Sequence, residues 1–422
     1  MTGPPAALRT RLSAMMFLQY AIWGAWLPIL YPFLVWRGFT PDEISAAFAV
    51  GAAGAIIGPF IAGQVADRWF ATERFLGISH LAGAALVWNL ASLQSASTFL
   101  LVSFLYGLIY APTLALTNSL AFHHLADRDR DFGPIRLWGT IGWIAVGIAM
   151  GHWLAQMHSP AGASGEALEA AWNAGRADAF KLSAALGALL GLYCFTLPHT
   201  PPARGEGRRN ATFEAIGEVR RQPLLTLFLL AVPISVIHQF YFVHTSAFLS
   251  ALQAGDEAAR GLAESINTVF GVGGGGLMTI GQIAEIAVLA AIPFVAKRWS
   301  RKALLAVGIA AYAARMAIFA YTDSLPLILL GVTLHGLCFG CFIFVAFMVV
   351  DEETTPDVRA SAQNLFNLVI IGIGIIVGSW FAVDVVGGWA DGDWTKLFSI
   401  PMWMALFCLL ILQLAYPARR KA

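Results

Sequence analysis

A charged or hydrogen-bonding side chain set inside a long apolar run has little to do there except bind, pair or carry a proton. Arg136 is such a residue, in GPIRLWGTIGW at 133–143. Thr140 follows one helical turn on and Trp143 about one turn further, so a helix places a cation, a hydroxyl and a flat ring on one face. An ionised group in such a stripe is usually turned to an interior cavity or a partner. The plain alternative is an arginine near a helix end, snorkelling to the interface. Glu285 is buried deeper in its run, GQIAEIAVLAAIPF from Gly281, with Gln282 three residues earlier on the same face. A desolvated carboxyl in that position can take up and release a proton near neutral pH. Its alternative is a structural hydrogen bond to another helix.

Other groups carry weaker signals. Arg315 sits midway along an apolar run, as counter-charge either to Glu285 or to Asp351, Glu352 and Glu353, and a structural ion pair is the favoured reading. His238, beside Gln239, and His244 belong to a residue type that titrates in the physiological range, or they serve helix packing. Tyr20, Trp23 and Trp26 recur at helical spacing and either stack a planar base or pack, with Trp23 the best placed to reach a ligand. GVGGGG at Gly271 lacks the lysine and hydroxyl of a phosphate loop and reads as a flexible external loop. His123 and His124 adjoin a solvated charge run and do not read as metal ligands. Cys338-x-x-Cys341 lies within an apolar helix, away from any redox context, and all four cysteines read as buried thiols. No catalytic constellation and no nucleotide-triphosphate motif is visible, so neither an enzyme, nor a cofactor, nor a metal is expected.

The elements that must position these groups are membrane helices. The 422 residues are 58% hydrophobic and 12% charged, with a mean hydropathy of +0.69, against about 25% charged for a soluble domain. Apolar runs near the roughly 20 residues that cross a bilayer fall at 14–36, 42–66, 74–93, 98–122, 134–156, 180–198, 223–252, 275–296, 303–322, 326–350, 360–388 and 395–416. The expected fold is an all-α polytopic membrane protein of about twelve helices. The first run exceeds a signal-peptide core and reads as a retained helix. Arg9, Arg11, Arg74, Arg128, Arg208, Arg209, Arg298 and Arg419 lie on one side of these spans, whereas Arg37, Arg176, Lys181, Arg260 and Lys396 lie on the other. The positive-inside rule then places both termini in the cytoplasm. The polar stretch 201–222 reads as a linker between an N-terminal half, 1–200, and a C-terminal half, 223–422. PFIAGQVADRW at Pro59 and PFVAKRW at Pro293 echo each other at matching places, as in transporters built from repeats.

GQVADRW at 63–69 resembles the signature of the major facilitator superfamily. The resemblance implies a gating role for Gly63, Asp67 and Arg68. FLQYAIWGAWL at Phe17, YAPTLALTNSLAF at Tyr110, PIRLWGTIGW at Pro134, TLPHTP at Thr196, GQIAEIAVLAAIPF at Gly281 and VRASAQNLF at Val358 together resemble the nucleoside:proton symporters of that superfamily, over nearly the whole chain. By that resemblance Arg136, Thr140, Trp143, Gln239, Gln282, Glu285 and Phe339 match nucleoside-contacting positions, and the burial of Glu285 makes it the expected proton-coupling residue as well. Phe242, His335 and Gly340 stand where the family can offer asparagine, tyrosine and aspartate. The expectation is a proton-coupled nucleoside importer in the inner membrane, monomeric among lipid, working by alternating access around a central cavity and binding no nucleic acid. A sugar or drug carrier without proton coupling, and a receptor that binds without transport, are the competing readings.

Overall fold

The computed structural model describes residues 5–417, except 69–70, 126, 202–215, 255–256 and 356–358. The side chains of 55, 58–68, 128–130, 257–263, 359–361 and 364 also lie outside the description, and with them those of Gly63, Asp67 and Arg68. Among the described residues the regular structure is helical throughout. In hydrocarbon every backbone amide must be satisfied within its own segment, and a helix does that locally.

The long helices are α1 Ala6–Trp36, α2 Pro41–Arg68, α3 Thr72–Leu90, α4 Ala96–His124, α5 Arg128–Met157 and α6 Gly165–Cys194. They continue with α7 Leu224–Ala254, α8 Gly275–Val295, α9 Arg301–Tyr321, α10 Leu325–Glu353, α11 Leu365–Ala390 and α12 Trp394–Ala415. Among the described residues, ten of the twelve count as long and apolar enough to cross a bilayer; α2, part of which lies outside the description, and α3 are not among the ten. Both nevertheless occupy apolar runs expected from the sequence. Wide π-helical turns interrupt α10 at Cys338–Phe344 and α11 at Leu368–Ile373 and Phe381–Gly387.

The chain divides into two compact units. Unit 1 holds residues 1–206 and 246–279, and unit 2 holds 207–245 and 280–422. The division therefore cuts α7 and α8 themselves and groups their joined ends with the N-terminal residues.

In unit 1, α1 packs against α5 and α6, α2 against α4, and α3 against α4 and α6. The GVGGGG segment is not the flexible loop its composition suggests. Gly271 to Gly274 are buried, Val272 donates its amide to the Gly151 carbonyl at 3.1 Å, and Gly271 lies directly on the α5 backbone at Gly151. Gly271, Gly273 and Gly274 adopt φ of 73°, 80° and 80°, which only glycine tolerates cheaply. Arg176, counted above as a loop cation, is fully buried and donates to Gly273 O at 2.9 Å and Ser250 Oγ at 3.1 Å.

At the other end of α6, TLPHTP folds back onto Glu73. The Thr200 amide donates to Glu73 Oε2 at 2.9 Å, and His199 Nδ1 lies 2.9 Å from Oε1. Burial alone would raise this carboxyl's pKa, but the bonds from Thr200 and His199 outweigh burial and hold it below the ordinary carboxylate value.

In unit 2, α9 packs against α10 and α12, and α8 meets α10 through two glycines. A methyl group at Gly336 would stand 2.5 Å from the Ala284 carbonyl carbon and 2.7 Å from the Glu285 nitrogen, and one at Gly281 would stand 2.9 Å from His335 Cβ. Small residues at such crossings let membrane helices approach backbone to backbone.

Two stability predictions follow from these contacts. Gly336→Val should destabilise the protein by about 1–3 kcal/mol through overpacking, read as a lower melting temperature in detergent. Gly83→Ala, whose added methyl would meet only Tyr106 at 3.5 Å, should change it little. Glu73→Gln should lower the melting temperature at pH 7, by an amount on the order of 1.5–3 kcal/mol for a charged hydrogen-bonding group. Because the folded value is depressed, the stabilisation is present above the unfolded carboxylate value and is lost as pH falls through the folded one. The gap between Glu73→Gln and the parent should therefore close on acidification toward pH 3, and a gap constant with pH would refute the assignment.

Candidate functional site

The sequence-derived site residues fall into two groups, one in each unit. In unit 1, α1 and α5 come together because Gly24 lies against the Trp143 ring and Gly142 against the Phe17 carbonyl. That contact sets Trp143 edge-on to Trp23, with ring centroids 5.7 Å apart, and Trp23 lies 6.4 Å from Tyr110. The Arg136 guanidinium sits 3.9 Å from the centroid of Tyr20, a cation–π arrangement worth about 0.5–2 kcal/mol. Arg136, Thr140 and Trp143 are each half-buried. The arginine is thus a cation held against an aromatic wall. Tyr110 Oη donates to Gln19 O at 2.5 Å and Gln19 Nε2 donates to Thr113 Oγ1 at 2.8 Å, fixing the floor of this wall.

In unit 2 the chemistry centres on a buried cation. Arg315 is fully buried and lies over Tyr241 at 4.3 Å and Tyr312 at 5.1 Å. Its Nη1 is 3.1 Å from His335 Nδ1. On the other edge of that imidazole, His335 Nε2 is 3.7 Å from Glu285 Oε2, a close approach just beyond hydrogen-bonding distance. Tyr241 stacks on His335 at 4.6 Å. Of the two partners the sequence left open for Arg315, the structure favours Glu285, reached through His335. The acidic residue Glu352 pairs instead with Arg301, at 2.6 Å.

Around this core, Gln239 is buried and donates to Ser379 Oγ at 3.0 Å. Gln282 is also buried, and its Oε1 has no hydrogen-bond partner among the described residues. Phe242 meets His335 edge-on at 6.1 Å, and Phe339 is half-buried on the π-helical turn of α10. His238 Nδ1 is 2.7 Å from Tyr312 Oη, and His244 Nε2 is 3.0 Å from Ala382 O. The packing reading fits both. Tyr241, Tyr312 and Ser379 were not singled out from sequence, since aromatic and hydroxyl residues are common in membrane helices and only the fold shows what they face. No cluster of three or more metal-ligating side chains occurs among the described residues.

Comparison with known proteins gives these groups a context. A sequence profile described as nucleoside H+ symporter matches residues 6–421. The chain is 32% identical to the putative nucleoside transporter YegT of Escherichia coli strain K12, over 87% of this chain and 82% of that one. It is 28% identical to the xanthosine permease of the same organism, over 96% and 95%. A crystal structure of a mutant of the nucleoside transporter NupG superposes with a TM-score of 0.83 at 26% identity, covering 96% of this chain and 99% of that one.

The two glutamines should respond oppositely to an apolar substitution. Gln282→Leu removes a buried oxygen that has no partner, whose desolvation costs about 1–3 kcal/mol, and should hold or raise the melting temperature of the ligand-free protein. Gln239→Leu breaks the bond to Ser379 and should lower it by roughly 1 kcal/mol equivalent. A fall of equal size in both would show that Gln282 is as fully satisfied as Gln239.

Proposed function

Because the chain belongs to the nucleoside H+ symporter family, a family of multi-pass membrane transporters, we propose that it imports nucleosides together with protons by alternating access. Arg136, Thr140, Trp143 and Trp23 offer the substrate a cation, a hydroxyl and stacking rings. Gln239, Gln282, Phe242, His335 and Phe339 offer amides, an imidazole and further aromatic surface. A nucleoside matches groups of both kinds, because its base presents a flat π face and its ribose presents hydroxyls that only polar side chains satisfy inside a membrane. The observation that carries the coupling is Glu285, a carboxylate within a membrane helix whose side chain is 13% exposed and 3.7 Å from His335 Nε2. Gly63, Asp67 and Arg68 serve as the gating motif, with both termini cytoplasmic in the inner membrane. The carrier works as a monomer of two halves, 1–200 and 223–422, joined by the linker 201–222.

The test is uridine uptake into proteoliposomes under an inward proton gradient. The parent should accumulate uridine, and a protonophore should abolish the accumulation. Glu285→Gln should lose accumulation while retaining uridine exchange. Competition by purine nucleosides but not by sugars is expected. Saturable binding without flux would instead make the protein a receptor, and gradient-independent flux would make it a uniporter.

A further inference from the structure

His335 presents two nitrogens to two different partners, and the partners decide which nitrogen carries the proton. Nδ1 is 3.1 Å from Arg315 Nη1. A guanidinium has five N–H donors and no acceptor, so this bond forms only if Nδ1 is bare and accepts. A neutral imidazole carries its proton on the other nitrogen, which here is Nε2, the atom facing Glu285 Oε2 at 3.7 Å. Protonating Nδ1 as well would aim an N–H at a donor and set a second cation beside a buried first one.

We infer that Arg315 is a positioning residue for proton coupling: it holds His335 as a fixed neutral Nε2–H donor aimed at Glu285, so that the carboxyl alone carries the proton. This rests on the proton-coupled reading above. Each cycle then moves one proton between water and the Glu285 carboxyl, and no N–H bond of the imidazole forms or breaks. The ionised carboxylate is met by the Nε2–H and, behind it, by the guanidinium. The protonated acid needs neither.

The surroundings of His335 support this arrangement. From α9 it faces Arg315, and Tyr312 of that helix bonds His238. From α7 it faces Tyr241, stacked at 4.6 Å, and His238, stacked at 5.5 Å. From α8 it faces Glu285, and Cys338 is the titratable neighbour on its own helix. Arg315 is fixed by more than this bond. It lies over two tyrosine rings, while its Nε and Nη2 are buried with no hydrogen-bond partner among the described residues, so its charge is met by aromatic faces and the imidazole. Such a group is ill suited to a purely structural salt bridge. It is suited to biasing the hydrogen bonding of the group in front of it.

The experiment is nitrogen NMR of the full-length protein in lipid nanodiscs with 15N-labelled histidine. The chain has nine histidines, and the signal lost in His335→Gln assigns the residue. The expected spectrum has one protonated nitrogen and one bare nitrogen, the latter shifted by its bond to Arg315 and unchanged from pH 5 to pH 8. Arg315→Lys, which keeps a cationic donor, should preserve that signature. Arg315→Met should lose the bare-nitrogen resonance on acidification through the ordinary histidine range near pH 6.5. Uridine exchange by Arg315→Met should gain a new pH-dependent limb over the same range, absent from Arg315→Met/His335→Gln. An imidazolium in the parent at pH 5.5, or a proton on Nδ1, would overturn the inference, as would identical spectra for the parent and Arg315→Met. The parent spectrum decides the matter even if Arg315→Met does not fold. The NMR readout does not depend on transport, so a parent that fails to move uridine would refute the functional reading separately.

Discussion

The site chemistry in unit 2 depends on how closely α8 approaches α10. Gly281 and Gly336 take away the side chains that would hold the two helices apart, and a backbone-to-backbone crossing results. That crossing brings the Glu285 carboxylate to the edge of the His335 ring. A helix pair held at an ordinary separation of 8–10 Å by larger side chains would draw the carboxylate away from the imidazole. Unit 1 uses the same device between α1 and α5, where Gly24 and Gly142 let an aromatic wall form beneath Arg136. In both units the polar groups are placed by what is missing from the neighbouring helix.

Burial then dictates the rest. A guanidinium taken out of water needs its charge answered, and Arg315 is met by two tyrosine rings and one imidazole nitrogen. Arg176, buried in unit 1, is handled differently, by a carbonyl and a hydroxyl brought to it by a glycine turn. Arg315 faces an imidazole with a carboxylate behind it, whereas the contacts that tie Arg176 to the turn are a carbonyl and a hydroxyl, with the Glu169 charge nearby. The first arrangement can respond to a ligand or a proton, while the second ties an inter-helix turn in place.

Much of this was legible in the chain itself. The helices fall close to the apolar runs, and Arg136 and Glu285 stand out because a charge in such a run is costly. What the sequence could not supply was partnership. Arg315 lies thirty positions after Glu285 by numbering, yet it meets that carboxylate through a residue on a third helix, and nothing in the spacing indicates the bridge. GVGGGG misled for a related reason. Glycine signals either freedom or close packing, and only the position of Gly151 on α5 decides between them. Arg176 was counted as a loop cation because topology rules weigh charges by sequence position and not by what surrounds them.

The π-helical turn in α10 has a consequence for the geometry of every residue beyond it. A wide turn takes in an extra residue for nearly the same rise, and one residue of an α-helix corresponds to about 100° of rotation. His335 lies before the turn and Asp351 after it. A helical wheel drawn straight through Leu325–Glu353 would therefore assign the second half of the helix to the wrong face. If the turn tightened to an ordinary α-helix, the helix beyond Phe344 would swivel as a unit while the turns around His335 stayed in place. The helix thus contains its own axle, directly behind the imidazole that faces Glu285.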